Sequence, residues 1–446
     1  MLRLFDLRSS LVVVYVLLLG LIYTASSMDF TAIKAAGFFL VLAVLTLLIL
    51  NTNHGPVNVA SLPVRVCGTL LFIGFGIASV RAAISLGDEA EVSTTMFLTL
   101  FILPLAFILT SRKLSSEDRF GYFPPCLLGM ALLVLISYLT LPTPFGPVFT
   151  AKGYGTEAVT ETIGVLSARF SLPYFPGILS GGVFCTVGTW GSLTLFATLR
   201  QSGYKTKLMA VALTVIFFSG IVLTDFRLGY LVFAGGVVLT ILKWRPLFGL
   251  SRYYFRIPFL VIIFCFPLYY SLFIPYLSDA ISAFPDLPSR QEKDDPLFLN
   301  GRVLFWENGE IMFSDKLTLL VGAGFKGEVT MGIDQLFVQN WFGYIPSFAT
   351  GINHFHNMTL NIFATGGIIL VVLLFLAVER ALALALSSRD LPSTPFCYSA
   401  MLIALLLCGL TESIFAINYI YFIPLLGILL SPAYCYRNME ELHPSL

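Results

Sequence analysis

The feature that most constrains this chain is its succession of long, unbroken apolar runs. Leu11–Ala25, Thr31–Leu50 and Gly367–Val378 with its flanks are continuous rather than alternating. A helix that crosses a bilayer takes about 20 apolar residues. In hydrocarbon every backbone donor and acceptor must also be paired inside the protein, which leaves helices or closed barrels. Continuous runs meet that demand as helices. With 57% hydrophobic residues against 11% charged, polar side chains are too few to coat a soluble particle of 446 residues. The expectation is an all-α polytopic membrane protein.

Taken in order by the length rule, the apolar runs predict about twelve transmembrane helices. They centre near Leu18, Leu40, Ile73, Ile102, Leu132, Thr186, Ala212, Gly235, Ile263, Val371, Leu405 and Leu425, and the Thr186 and Gly235 spans are rich in glycine. Basic residues orient them, because cytoplasmic loops collect Lys and Arg. With the amino terminus inside, most of the basic residues fall in cytoplasmic segments, among them Arg3, Arg8, Arg65, Arg112, Lys113, Arg245 and Arg389. Short outer connections are acidic or neutral, as in Asp88-Glu89-Ala90-Glu91. Both termini are thereby assigned to the cytoplasm. The first run follows Arg3 and Arg8 like a signal sequence, but it lacks a small-x-small cleavage site and reads as a retained anchor.

This reading divides the chain into helices one to nine over 1–274, a periplasmic loop subdomain over 275–355, and helices ten to twelve over 356–446. Short amphipathic helices are expected in the loop at Gly301–Phe313 and Asp334–Phe342. A second outer segment, Leu141–Pro173, is rich in Pro and Gly. The net charge of +1 points to no nucleic acid partner. The seven cysteines lie in or beside apolar runs without a CxxC pair, as small buried hydrophobes do.

Charged residues at membrane level are expensive and usually functional. Arg227 lies in Thr224-Asp225-Phe226-Arg227-Leu228-Gly229-Tyr230, a short outer turn; it also reads as an interface anchor or a partner for Asp225. Arg169, in Ser167-Ala168-Arg169-Phe170, and Arg302, in Gly301-Arg302-Val303-Leu304-Phe305-Trp306, are equally a headgroup-level arginine and a solvated helix face. His356 and Asn357 stand where the long loop re-enters the membrane, and a histidine there can take a proton from a hydroxyl near neutral pH. Glu412, in Leu410-Thr411-Glu412-Ser413, ends another span on the same side and can orient an arginine or the histidine, or merely cap a helix. The charge rule puts all of these outside. Several arginines in one cleft suit a diphosphate, whose oxygens match the guanidinium fork, and such a clamp stabilises a departing diphosphate without a metal ion.

Three other matches carry little. Gly322-Ala323-Gly324-Phe325-Lys326-Gly327 satisfies GxGxxG literally but has no βαβ context. Asn357-Met358-Thr359 is a formal glycosylation sequon at the start of a span, and Asp294-Asp295 reads as a solvated loop.

The segments Ala168–Phe170, Thr224–Tyr230, Gly301–Trp306 with Val321–Gly324, His356-Asn357 leading into Leu360, and Thr411–Ser413 resemble, in this order, motifs of the bacterial O-antigen ligase and O-antigen polymerase superfamily. The likeness spans roughly Arg169 to Ser413. Asp225-Phe226 stand where small residues more often precede the arginine, and Pro176-Gly177 where Pro-Asn is commoner. The resemblance implies a GT-C-like membrane glycosyltransferase of the bacterial inner membrane with its active site on the periplasmic face. It further implies an undecaprenyl diphosphate-linked glycan as donor, a glycan or lipid A-core as acceptor, surrounding membrane lipids, and no metal or other cofactor. Carried over position by position, His356, Arg302 and Arg227 are the catalytic residues; Arg169, Arg227, Arg302, Asn357 and Glu412 bind substrate. The transfer inverts the anomeric configuration, and the enzyme is a polymerase or a ligase according to its acceptor. The rival reading is a lipid-linked oligosaccharide flippase or other transporter. A flippase needs polar residues at mid-membrane, where this chain is almost free of charge.

Overall fold

A computed structural model of the chain describes residues 9–18, 40, 43–44, 47, 62–86, 123–143, 157–159, 168–175, 177–198, 204–241, 252–270, 306, 315–325, 327, 331, 355–387, 394–412, 414–415 and 422–435. Among them the regular secondary structure is helical apart from one short pair of antiparallel strands. The helices are α1 Ser9–Leu18, α2 Leu62–Leu86 and α3 Phe123–Thr140, then α4 Gly177–Thr198, α5 Tyr204–Thr224, α6 Arg227–Ile241 and α7 Arg252–Phe264. After them come α8 Lys316–Val321, α9 Met358–Ser387, α10 Thr394–Cys408 and α11 Phe422–Cys435. Strands β1 Glu157–Val159 and β2 Ala168–Phe170 pair antiparallel with Arg169 opposite Ala158, a small departure from the all-α expectation.

Four of these helices contain stretches long and apolar enough to cross a membrane: Phe123–Thr140, Leu179–Ala197, Lys207–Thr224 and Met358–Ala383. Shorter apolar helices lie at Ser9–Leu18, Val66–Ala82, Arg227–Val238 and Phe396–Cys408. The span expected near Ile102 lies outside the described residues, as do most of the one near Leu40 and the amphipathic segment Asp334–Phe342; of Gly301–Phe313 only Trp306 is described, as helix.

Helix α4 is the hub, and its glycines explain how. Hydrocarbon supplies no hydrophobic drive between helices, so close van der Waals fit has to hold them together. A Cβ at Gly188 would stand 2.5 Å from the Phe217 ring of α5, and one at Gly191 would stand 2.7 Å from Leu127 of α3 and from Met401 of α10. The polar groups of α4 are met in the same interfaces. Trp190 Nε1 donates to the Val232 carbonyl of α6 at 2.8 Å, and the Thr214 hydroxyl of α5 donates to Ser192 Oγ at 2.8 Å.

Helix α9 is broken near its first third. Gly367 has φ 64 and ψ −167, inside what is otherwise one helix. The break frees carbonyls, and the chain between α8 and Phe325 takes them up: Ala323 N donates to Ala364 O at 2.7 Å and Gly324 N to Thr365 O at 3.0 Å. Phe325 N donates to Ala78 O of α2 at 3.3 Å. From α2, the Arg81 guanidinium donates to the carbonyls of Val321 and Gly322. Part of the long loop is thus inserted between α2 and α9, to the level of Thr365. At about 1.5 Å per residue that is ~10 Å along α9 from Met358. Irregular backbone at such depth is tolerated only where protein satisfies it, and here each N–H from Gly322 to Phe325 has an acceptor. The same contacts account for the GxGxxG match. Gly322 has φ 68 and ψ −177, and a Cβ there would lie 2.4 Å from the Gly366 nitrogen. The glycines serve close packing of backbone on backbone.

Candidate functional site

The site is built at the end of the bundle where α5 and α10 finish and α6 and α9 begin. Helix α5 closes with a Schellman motif: Asp225 N donates to Val222 O at 3.0 Å and Phe226 N to Ile221 O at 3.2 Å. That motif needs a left-handed residue at the position held by Asp225, whose φ is 44. Glycine is the usual occupant, and aspartate is among the few others that enter this region readily. This agrees with small residues being commoner there. The turn leads straight into α6, so Arg227 is its first helical residue. Its side chain is 45% exposed and its Nε lies 4.0 Å from the buried Asp225 Oδ2. The positive helix terminus and the guanidinium therefore present one attractive face to an anion.

The histidine is held by a second junction. Asn357 caps α9, its Oδ1 accepting from Leu360 N at 3.1 Å, while its Nδ2 donates to Leu410 O at 2.8 Å. Met358 N donates to Gly409 O at 2.8 Å. These bonds bolt the start of α9 to the turn after α10, the turn that carries Glu412. His356 Nδ1 consequently lies 3.7 Å from Glu412 Oε2, an ion-pair distance for a protonated imidazole. Glu412 is almost wholly buried, and His356 keeps a partly exposed edge. His356 also has φ 51, a conformation that side chains rarely adopt and that tends to mark functional positions.

Thr186 of α4 lies against the first junction. Its hydroxyl donates to the Gly182 carbonyl at 2.8 Å. A Cβ on Gly229, two residues beyond Arg227, would stand 2.7 Å from the same hydroxyl. Arg227, His356, Asn357 and Glu412 share one end of the bundle. The backbone of Arg169 comes to that end too. Just past β2, Ser137 Oγ of α3 donates to Pro173 O at 2.7 Å, and Leu172 packs on Gly181. The Arg169 side chain and all of Arg302 lie outside the described residues. Trp306, four positions beyond Arg302, donates from Nε1 to Phe355 O at 3.0 Å, next to the histidine.

Sequence reasoning passed over three participants: Trp306, Asn361 and Thr186. The one readable signal was Asn361, a second amide four residues after Asn357 at the head of an apolar helix, where i and i+4 side chains are neighbours. Among the described residues no three His, Cys, Asp or Glu side chains gather as metal ligands do.

Residues 210–375, somewhat over a third of the chain, match the protein family described as O-antigen ligase. This supports the chain as a member of the O-antigen ligase/polymerase family. The matched span includes Arg227, Arg302, His356 and Asn357 and ends before Glu412. Neither curated proteins nor solved structures give a match.

Proposed function

From the O-antigen ligase match over residues 210–375, we propose that this chain is a membrane glycosyltransferase of the polymerase or ligase type. It moves a glycan from an undecaprenyl diphosphate carrier to an acceptor hydroxyl at the periplasmic face, without a metal ion and with inversion. The observation that carries this reading is the 3.7 Å approach of His356 Nδ1 to the buried Glu412 carboxylate. A carboxylate on one imidazole nitrogen stabilises the imidazolium and leaves the other nitrogen, Nε2, to serve as base.

The acceptor oxygen forms a bond to the anomeric carbon as the bond from that carbon to the diphosphate oxygen breaks. The acceptor proton passes to His356, and the electron pair leaves with undecaprenyl diphosphate. Negative charge grows on the leaving group, where Arg227 at the head of α6, Arg302 and, more weakly, Arg169 neutralise it. In-line displacement inverts the anomeric centre. The periplasmic assignment is supported by the distribution of basic residues, which favours an orientation with this end of the helices away from the cytoplasm.

The test is reconstitution of the purified full chain in liposomes with a lipid diphosphate glycan, with and without a core-lipid acceptor. Chain extension in the absence of core lipid marks a polymerase; transfer only in its presence marks a ligase. Glycan crossing the bilayer with no new glycosidic bond would instead make the protein a flippase.

A further inference from the structure

The residues on either side of His356 are held by a side chain that the transfer chemistry does not itself require. Asn361 is 1% exposed. Its Oδ1 accepts from Phe355 N at 3.4 Å, and its Nδ2 donates to Asn357 O at 2.7 Å. One amide thus spans the histidine, gripping the residue before it and the residue after it. From outside the helix, Trp306 Nε1 donates to the Phe355 carbonyl, and its ring meets Phe266 and Tyr270 edge-on with centroids 5.8 Å apart in each case.

The start of α9 is secured without these bonds. Asn357 supplies its cap, and Met358 N is satisfied by Gly409 O. What Asn361 and Trp306 hold is the turn ahead of the helix, where His356 sits with positive φ. Only an amide of this length offers a donor and an acceptor together, one to each flank. Aspartate keeps the acceptor alone, and leucine keeps the volume alone.

We propose that Asn361 and Trp306 are positioning residues for His356: they fix the left-handed turn that directs its imidazole at the acceptor hydroxyl. This rests on the glycan-transfer reading of the site. Neither residue touches substrate, and both act through the geometry of the base.

The experiment uses the full chain in nanodiscs with ring-labelled histidine. The chain has four histidines, so His356→Gln identifies the resonance by its loss. In Asn361→Leu and in Trp306→Phe the His356 resonance shifts or broadens while those of His54 and His443 stay in place. Misplacement of a reacting group by about 1 Å costs on the order of 10²-fold, so kcat for transfer falls between about tenfold and a hundredfold. The donor KM stays within about twofold, because ground-state binding is untouched. Should Asn361→Leu fail to fold, Asn361→Asp and Trp306→Phe carry the same readouts. An unmoved His356 resonance, or a moved one with full kcat, overturns the proposal. A wild-type protein that transfers no glycan refutes the function reading instead, and the resonance still decides the positioning role.

Discussion

Replacing Glu412 by glutamine keeps its volume and removes only its charge, so it isolates what the carboxylate does for His356. Opposite charges about 4 Å apart attract by ~4 kcal/mol at an effective dielectric constant of about 20. The observed separation is 3.7 Å, with Glu412 at 1% exposure and His356 at 18%. Water at the exposed imidazole edge screens part of this, and taking half leaves ~2 kcal/mol. That energy is present only once the imidazole has accepted the acceptor proton, so it lowers the transition state and not the ground state. Its loss slows transfer by about 30-fold. The effect belongs in kcat, with donor KM unchanged. Single-turnover transfer from a preloaded lipid diphosphate glycan, at equal protein abundance, measures it. A fall of less than about threefold in Glu412→Gln, or a change confined to KM, would sink the reasoning that the carboxylate supports the base.

Five other outcomes follow from the structure. His356→Ala lowers transfer by about 10² to 10⁴, the usual worth of a general base, with membrane insertion and abundance intact by immunoblot. Arg227→Lys, which replaces a fork by a point charge, leaves about a hundredth of the activity in the same assay. Gly322→Ala forces a side chain into a glycine-only conformation, costing about 1–3 kcal/mol, and presses it on the α9 backbone for about 1–3 kcal/mol more. Gly235→Ala, which meets open space in α6, gains about 0.5–1 kcal/mol; thermal unfolding followed by dye labelling of the buried Cys126, Cys185, Cys397 and Cys408 reads both signs. Finally, the Thr318 hydroxyl, followed by the amide N–H groups of Thr318 and Leu317, holds the exposed Asp315 carboxyl below its ordinary value of 3.8. Because the folded value is the lower one, the cap contributes fully above about pH 3.8 and is lost as pH falls through the depressed value. Amide exchange at Leu317 and Thr318 reports that loss, and Asp315→Ala abolishes the pH dependence.

Much of the bundle was legible because hydrocarbon enforces a simple rule on apolar runs. The centres read near Ile73, Leu132, Thr186, Ala212, Gly235, Val371 and Leu405 all fall within described helices, including the two glycine-rich spans. The cluster of His356 with Glu412 was legible too, since both stand at span ends of the same sidedness. What the sequence hid was set by tertiary contact. The break at Gly367 has only the Gly366-Gly367 pair as its mark in the sequence, because what holds it open is the loop that fills it. Trp306 and Phe355 are separated by most of the long loop, and no local pattern links an indole to a distant carbonyl. The grip of Asn361 depends on a non-helical turn that only the assembled junction imposes. Asp225 is the converse case, where an unusual residue in a motif marked a left-handed backbone.

The broken helix also bears on the order in which the protein is made. Residues 315–325 leave the ribosome well before α9, whose carbonyls accept from Ala323 and Gly324. Until those acceptors arrive, the amides have water as their only alternative, so the segment stays outside the bilayer while α2 is already in place. Insertion of the loop is therefore a late event in biogenesis, completed only when α9 has been delivered to the membrane.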